Sequence, residues 1–286
     1  MGFNLLETAE GLRLGTGKLN IVIKKSPFVI NFYDTKDNFL TSAGAFGLRG
    51  EKAGPKLTKL TTVQDYTNCA EGLCLTLGTE VGNEAELFIS KTKEEVVRFT
   101  LKGSVETKSV ETNWALNPKD HFYGFGERFD GIDQKGKEVE LWVENGAYGG
   151  KTYKPIPFFM TPQGYGIMLD TNRRSLCRMG RPGSEDYYSI INTDSTLDFY
   201  FIYGPLMKDI LSRYLNLVGK PALPPEWAFG VWKSRDWLVE NQATVYQDLE
   251  VQRELKVPCT VKLIDAAWET EYHSFVFDPV KYPAPE

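Results

Sequence analysis

One feature limits the fold more than any other: from the N-terminus to about residue 204 apolar side chains recur mostly at every second position, and beyond Gly204 they do not. Period two marks strands that bury one face. Leu19, Ile21 and Ile23 alternate with Asn20, Val22 and Lys24, Ser26-Pro27 interrupts, and Phe28, Ile30 and Phe32 resume the pattern, which predicts a hairpin. Further strands are expected over 85–90, 95–101, 110–116, 166–170 and 196–203, joined by turn-rich segments such as Gly180-Arg181-Pro182-Gly183. So many strands without an intervening helical pattern predict an antiparallel β-sandwich.

The period changes at Gly204. Leu206, Ile210, Leu211, Tyr214 and Leu217 fall on one helical face, with Pro205 placed for a first turn and Gly219 for a terminator. Pro221, Pro224 and Pro225 then stiffen the chain, because proline lacks a donor and disfavours helix at the residue before it. A domain boundary is expected there, dividing a sandwich over 1–223 from a second domain over 224–286. In that second part a short apolar run (228–233), a helical run (244–255) and another apolar run (260–264) read as a βαβ unit. Its second strand leads directly into Asp265, and functional side chains of a (β/α)8 barrel sit at such carboxyl ends. A whole barrel needs about 250 residues. The stretch from Pro224 to Glu286 is roughly a quarter of that, so the fold expected is mainly β, a sandwich followed by the first strands of a truncated barrel.

Composition narrows the partners. Formal net charge is −5 and like charges form no long block, so neither nucleic acid nor an anionic membrane is an expected partner. No stretch of about 18 apolar residues occurs and the N-terminus does not read as an export signal, which gives a cytoplasmic expectation. Cys69 and Cys74 form the single close cysteine pair, while Cys177, Cys259, His121 and His273 are scattered, so zinc spacing is not met; Cys69 and Cys74 could close a small disulfide in a secreted protein, but without an export signal free thiols are expected. Aromatic residues reach 13%, which suits either sugar stacking or a large two-layer core.

Several segments in order carry a specific pattern: FYGFGERF from Phe122, YKPIPFFMT from Tyr153, PALPPEW from Pro221 with FGVW following, VKLIDAAW ending in Asp265 and Trp268, and FDPVKYPAPE at the end. Together they resemble glycoside hydrolase family 31, the retaining α-glucosidases and α-xylosidases, with the pairing of D-x-x-W and FDP…YP…P most similar to the bacterial α-xylosidase branch. The resemblance implies a β-sandwich packed on a (β/α)8 barrel, an α-linked oligosaccharide or glycoside as substrate, and no metal or organic cofactor. It also implies two catalytic Asp residues, one attacking the anomeric carbon while the other protonates the departing oxygen. The family's nucleophile motif, resembling K-T-D-F-G-E, does not occur in these residues. No catalytic residue is therefore assigned, and the chain is expected to be inactive without the remainder of the barrel.

The resemblance implies that Asp265 holds sugar hydroxyls, a task that suits a carboxylate because it accepts two charge-assisted hydrogen bonds; the alternative is an Asp that caps the next turn. Trp268 is expected either as a wall of that pocket or as packing beneath the barrel loops. Trp237 follows the first barrel strand, where the family presents an aromatic ring, and neighbouring Arg235 and Asp236 either face substrate or pair with each other in solvent. Trp142-Val143-Glu144-Asn145 matches a sandwich loop that usually reads W-N-R-D. Asn145 there replaces a charge with an amide, which puts leaving-group preference in doubt. Glu127 and Arg128 are read as an internal ion pair. A different class, a stand-alone carbohydrate-binding or assembly module, is the alternative, and unpaired strand edges of a partial barrel would favour a homo-oligomer.

Overall fold

The computed structural model describes residues 2–50, 57–69, 71–79, 82, 84–144, 152–235, 240–266 and 268–286. The chain divides into two units, Met1–Gly219 and Lys220–Glu286.

The first unit holds β1 (Asn4–Thr8), β2 (Gly11–Gly15), β3 (Leu19–Lys25), β4 (Phe28–Asp34), β5 (Phe39–Gly50), β6 (Thr58–Cys69), β7 (Gly72–Thr79), β8 (Glu84–Lys93) and β9 (Val96–Lys102). It continues with β10 (Thr107–Ala115), β11 (Tyr123–Gly126), β12 (Glu138–Leu141), β13 (Pro155–Thr161), β14 (Tyr165–Leu169), β15 (Ser175–Arg178), β16 (Tyr187–Asn192) and β17 (Thr196–Tyr203). One antiparallel layer runs β1-β2-β3-β4-β5-β10-β16-β15-β12. The other runs β6-β7-β8-β9-β17-β14-β13-β11, also antiparallel. A short β5–β6 pairing at Gly47 and Leu48 joins them.

Each strand turns its apolar alternate residues toward the other layer, and aromatic rings fill the gap. Phe32 of the first layer stacks on Phe201 of the second with centroids 4.0 Å apart, and Phe99 and Trp114 close around it. Much of the aromatic content is thus core, and ring pairs of this geometry add about 0.5–1.5 kcal/mol each beyond burial.

The amphipathic helix is α1 (Met207–Val218), whose Ile210 seats against Val96, Phe158 and Ile202 on the outer face of the second layer. Tyr214 stacks on Phe158 at 4.0 Å. A Cβ on Gly166 would stand 2.7 Å from Ile210, so this position must be glycine for the helix to lie that close. Pro205 falls outside the helix rather than in its first turn, because Leu206 is the residue with extended backbone that precedes it.

In the second unit the predicted strand over 228–233 is mostly something else. Glu226–Phe229 forms a 3-10 turn, with Ala228 N–H bonded to Pro225 O at 3.0 Å, and only β18 (Trp232–Lys233) is extended. Proline at 225 fixes the backbone for a tight turn and leaves its own carbonyl to accept the first bond. Helix α2 (Gln242–Glu254) follows, then β19 (Val261–Lys262), which pairs parallel to β18 with Trp232 opposite Val261. The unit is therefore β-α-β with parallel strands.

Candidate functional site

Parallel pairing sends the carboxyl ends of β18 and β19 off the same edge, so Arg235, two residues past β18, and Asp265, three past β19, leave from that edge. What holds the edge is a buried charge cluster. Asn241 caps α2, its Oδ1 accepting from Thr244 N–H at 3.0 Å while Thr244 Oγ1 accepts from Asn241 N–H at 2.9 Å. One turn further on, Asp248 takes the guanidinium fork of Arg235 through two bonds of 2.9 Å, and its Oδ2 also accepts from Lys262 Nζ at 3.0 Å. Lys262 donates as well to Glu240. Two cations and two carboxylates balance, which is the condition under which charges survive burial.

The fork of Arg235, with Lys262 second, holds the Asp248 carboxyl well below the usual carboxylate range. Burial pulls the Lys262 ammonium down, but its bonds to Glu240 and Asp248 outweigh this and leave it raised. Sequence reasoning missed this cluster. Its signal was Lys262 inside the apolar run V-K-L-I, since a charge in a strand otherwise built for burial needs a partner.

Arg235 is thus paired with Asp248; Asp236 and Trp237 lie outside the described residues, as does Asn145. Asp265 is half-buried. Its Oδ1 accepts from Ala266 N–H at 2.6 Å, and among the described residues Oδ2 accepts none. Trp268 is half-buried too and meets Phe277 edge-on at 4.7 Å, while Phe277 meets Tyr282 at 5.5 Å. Asp278 N–H bonds to Trp268 O at 2.9 Å, so the FDPVKYP segment folds back along the D-x-x-W turn and fixes it. Asp265 and Trp268 thus both lie in the segment that follows β19. A cavity of about 610 Å³ at the start of α2, lined by Asn241, Tyr246, Lys281 and Pro283 among others, includes neither.

In the first unit the FYGFGERF segment departs from expectation. Glu127 points to solvent and Arg128 is buried, so the two do not pair; Arg128 binds Asp130 instead, Nη2 to Oδ2 at 2.9 Å. Adjacent side chains on irregular or extended backbone diverge, whereas residues two apart return to one side.

Two family models match these units. The one described as the glycosyl hydrolase 31 N-terminal galactose mutarotase-like domain covers residues 1–177, and the one described as the family 31 TIM-barrel domain covers 221–286. The chain belongs to glycoside hydrolase family 31. Alpha-xylosidase XylQ of Lactiplantibacillus pentosus is 30% identical over 211 residues, 66% of this chain and 28% of that protein. Alpha-glucosidase 2 of Bacillus thermoamyloliquefaciens is 24% identical over 97% of this chain and 29% of its own length. A family 31 dextranase of Flavobacterium johnsoniae, solved with glucose, superposes with TM-score 0.69 at 23% identity over 98% of this chain and 28% of its own. The chain spans less than a third of the length of each of these family 31 proteins.

Among the described residues no helix is long and apolar enough to cross a membrane, and no group of three or more His, Cys, Asp or Glu side chains is placed to hold a metal ion.

Proposed function

We propose that this family 31 chain is the N-terminal portion of a retaining α-glycosidase acting on α-xylosides or α-glucosides, and that its nucleophile and general acid lie outside these 286 residues. In this reading Asp265 takes vicinal hydroxyls of the sugar at the cleavage site, and Trp268 walls the same pocket. Arg235 acts through Asp248, fixing the β18 end against α2. The observation that carries the reading is the parallel β18–β19 pair, with Asp265 three residues past β19, inside a segment matched by the family's barrel domain. The remainder of the barrel supplies the two carboxylates that retention requires.

Asp265 Oδ2 is the acceptor available to substrate. Charge-assisted bonds of this kind contribute about 1.5–3 kcal/mol each. Titrating methyl α-D-xyloside or isomaltose into the chain while following the Ala266 and Trp268 amide resonances tests the assignment. Asp265→Asn is expected to weaken binding at least tenfold, consistent with about 1.4 kcal/mol per decade. Unchanged affinity in that variant would refute the role of Asp265.

A further inference from the structure

The end of the β6–β7 hairpin carries chemistry that the reading above does not use. Its register closes on Cys69 opposite Gly72, with Cys74 two positions further along β7 and opposite Thr67. Side chains two apart on a strand return to one face, so Cys69 and Cys74 stand on the same face as diagonal neighbours. Leu73 and Leu75 are buried in the core, which turns Cys74 outward, and both cysteines are exposed. At Gly72 a Cβ would stand 2.1 Å from Ile89 O, so the close approach of β8 admits only glycine there. With no side chain opposite it, the Cys69 thiol leans across the hairpin. It donates to Gly72 O at 3.1 Å and lies 3.9 Å from Cys74 Sγ.

Two thiols at that separation are one rotation from a disulfide. An S–S bond is about 2.05 Å long, so the sulfurs must close by roughly 2 Å, which a change of χ1 at exposed side chains supplies. Such a bond would be a poor staple: the enclosed loop is a few residues long, and the entropy that a cross-link removes from the unfolded chain falls with loop length. Diagonal neighbours are also set wider than directly opposed ones, which leaves the closed bond strained, and exposed or strained disulfides are the readily reversed ones. We propose that Cys69 and Cys74 form a reversible dithiol–disulfide modification site that exchanges with a small disulfide of the oxidised-glutathione class.

The exchange needs no further reactant. The Cys69 thiolate attacks one glutathione sulfur, forming a mixed disulfide and expelling the other glutathione as a thiolate; Cys74 then attacks Cys69 Sγ, closing the protein bond and expelling the second. The two cysteine protons end on the two glutathione thiols, and the electron pair lost by the protein reduces the glutathione disulfide. Partial burial, with Cys69 and Glu86 beside it, raises the Cys74 thiol. Cys69 is therefore the attacking sulfur and Cys74 the resolving one, because the thiolate is the nucleophile.

Trypsin isolates the site, since Lys59 and Lys91 bound a peptide over 60–91 that holds these two cysteines and no other. The reduced 286-residue chain is treated with excess oxidised glutathione, quenched with iodoacetamide and mapped by mass spectrometry. The peptide is expected two hydrogens lighter, with neither glutathione nor an iodoacetamide adduct on it, and dithiothreitol should restore both alkylation sites. Cys74→Ser, at an exposed position, should stop at the mixed disulfide with one glutathione held on Cys69. Glutathione that persists on this peptide in the unmutated chain, dimers linked through it, or both cysteines still alkylated after prolonged exposure would each overturn the proposal.

Discussion

Lys262 is the residue whose loss should be felt most sharply in the second unit. Its ammonium is buried, donates to Glu240 and lies 3.0 Å from Asp248 Oδ2, and both carboxylates are buried with it. Lys262→Met keeps much of the side-chain volume but strands Glu240 and leaves Asp248 with Arg235 alone. Removing one member of a buried pair typically costs about 3–5 kcal/mol. Hydrogen exchange in α2 and β19 reads this directly, since opening free energies set the protection factors. A hundredfold or greater loss of protection is expected, as about 1.4 kcal/mol corresponds to a factor of ten. Adding Glu240→Gln should return about 1 kcal/mol or more, because the stranded carboxylate is then neutral. Asp248 is held low, so its contribution is present above about pH 4 and lost as pH falls through its folded value; Lys262 is held high, so its share is intact below about pH 10 and lost above. The experiment belongs between these limits. A loss below about tenfold, or a double variant no better than the single, would show that the cluster does not hold the β18–β19 edge.

Other consequences are separately measurable. Phe32→Ala removes a fully buried ring at the centre of the sandwich and should cost about 3–5 kcal/mol in urea unfolding of the first unit; a cost under 1 kcal/mol would contradict the packing described. Burial raises the Asp120 carboxyl despite its bond from Asn117 N–H, so stability tied to its neutral form is present at low pH and lost as pH rises through the folded value. Asp120→Asn should therefore flatten the fall in melting temperature from about pH 4 to 7, and an unchanged slope would refute this. Burial pushes the Cys177 thiol up to about 12, whereas Cys69 and Cys74 are exposed with Sγ atoms 3.9 Å apart. Iodoacetamide should label the exposed pair in native protein and reach Cys177 only on unfolding. Trp227, Phe229, Tyr272 and Phe275 are exposed in the second unit, and self-association by light scattering is the expected outcome; a clean monomer at high concentration would count against it.

The sandwich was legible because it is written in the most local signal available, alternation on strands long enough to repeat it. The strand expected over 196–203 is β17, and the hairpin about Ser26-Pro27 joins β3 and β4 in register from Leu19 to Lys25. The second unit was less legible. Its strands are two residues long, so β18 offered no period to read and an apolar run that folds into a 3-10 turn looked extended. Ion-pair partners escaped altogether: Arg235 finds Asp248 thirteen positions away, and Arg128 passes over Glu127 for Asp130 because only one of two neighbours can face inward. Burial decides such choices, and burial is a property of the assembled fold.

The division between recognising a sugar and breaking its bond is tested most directly by a chromogenic assay on the 286-residue chain, using 4-nitrophenyl α-xyloside and α-glucoside. No nitrophenol release above the buffer rate is expected, even where titration shows sugar bound. Turnover at enzyme-like rates that survives Asp265→Asn would contradict it, since the carboxylates doing the work would then lie among residues assigned other roles.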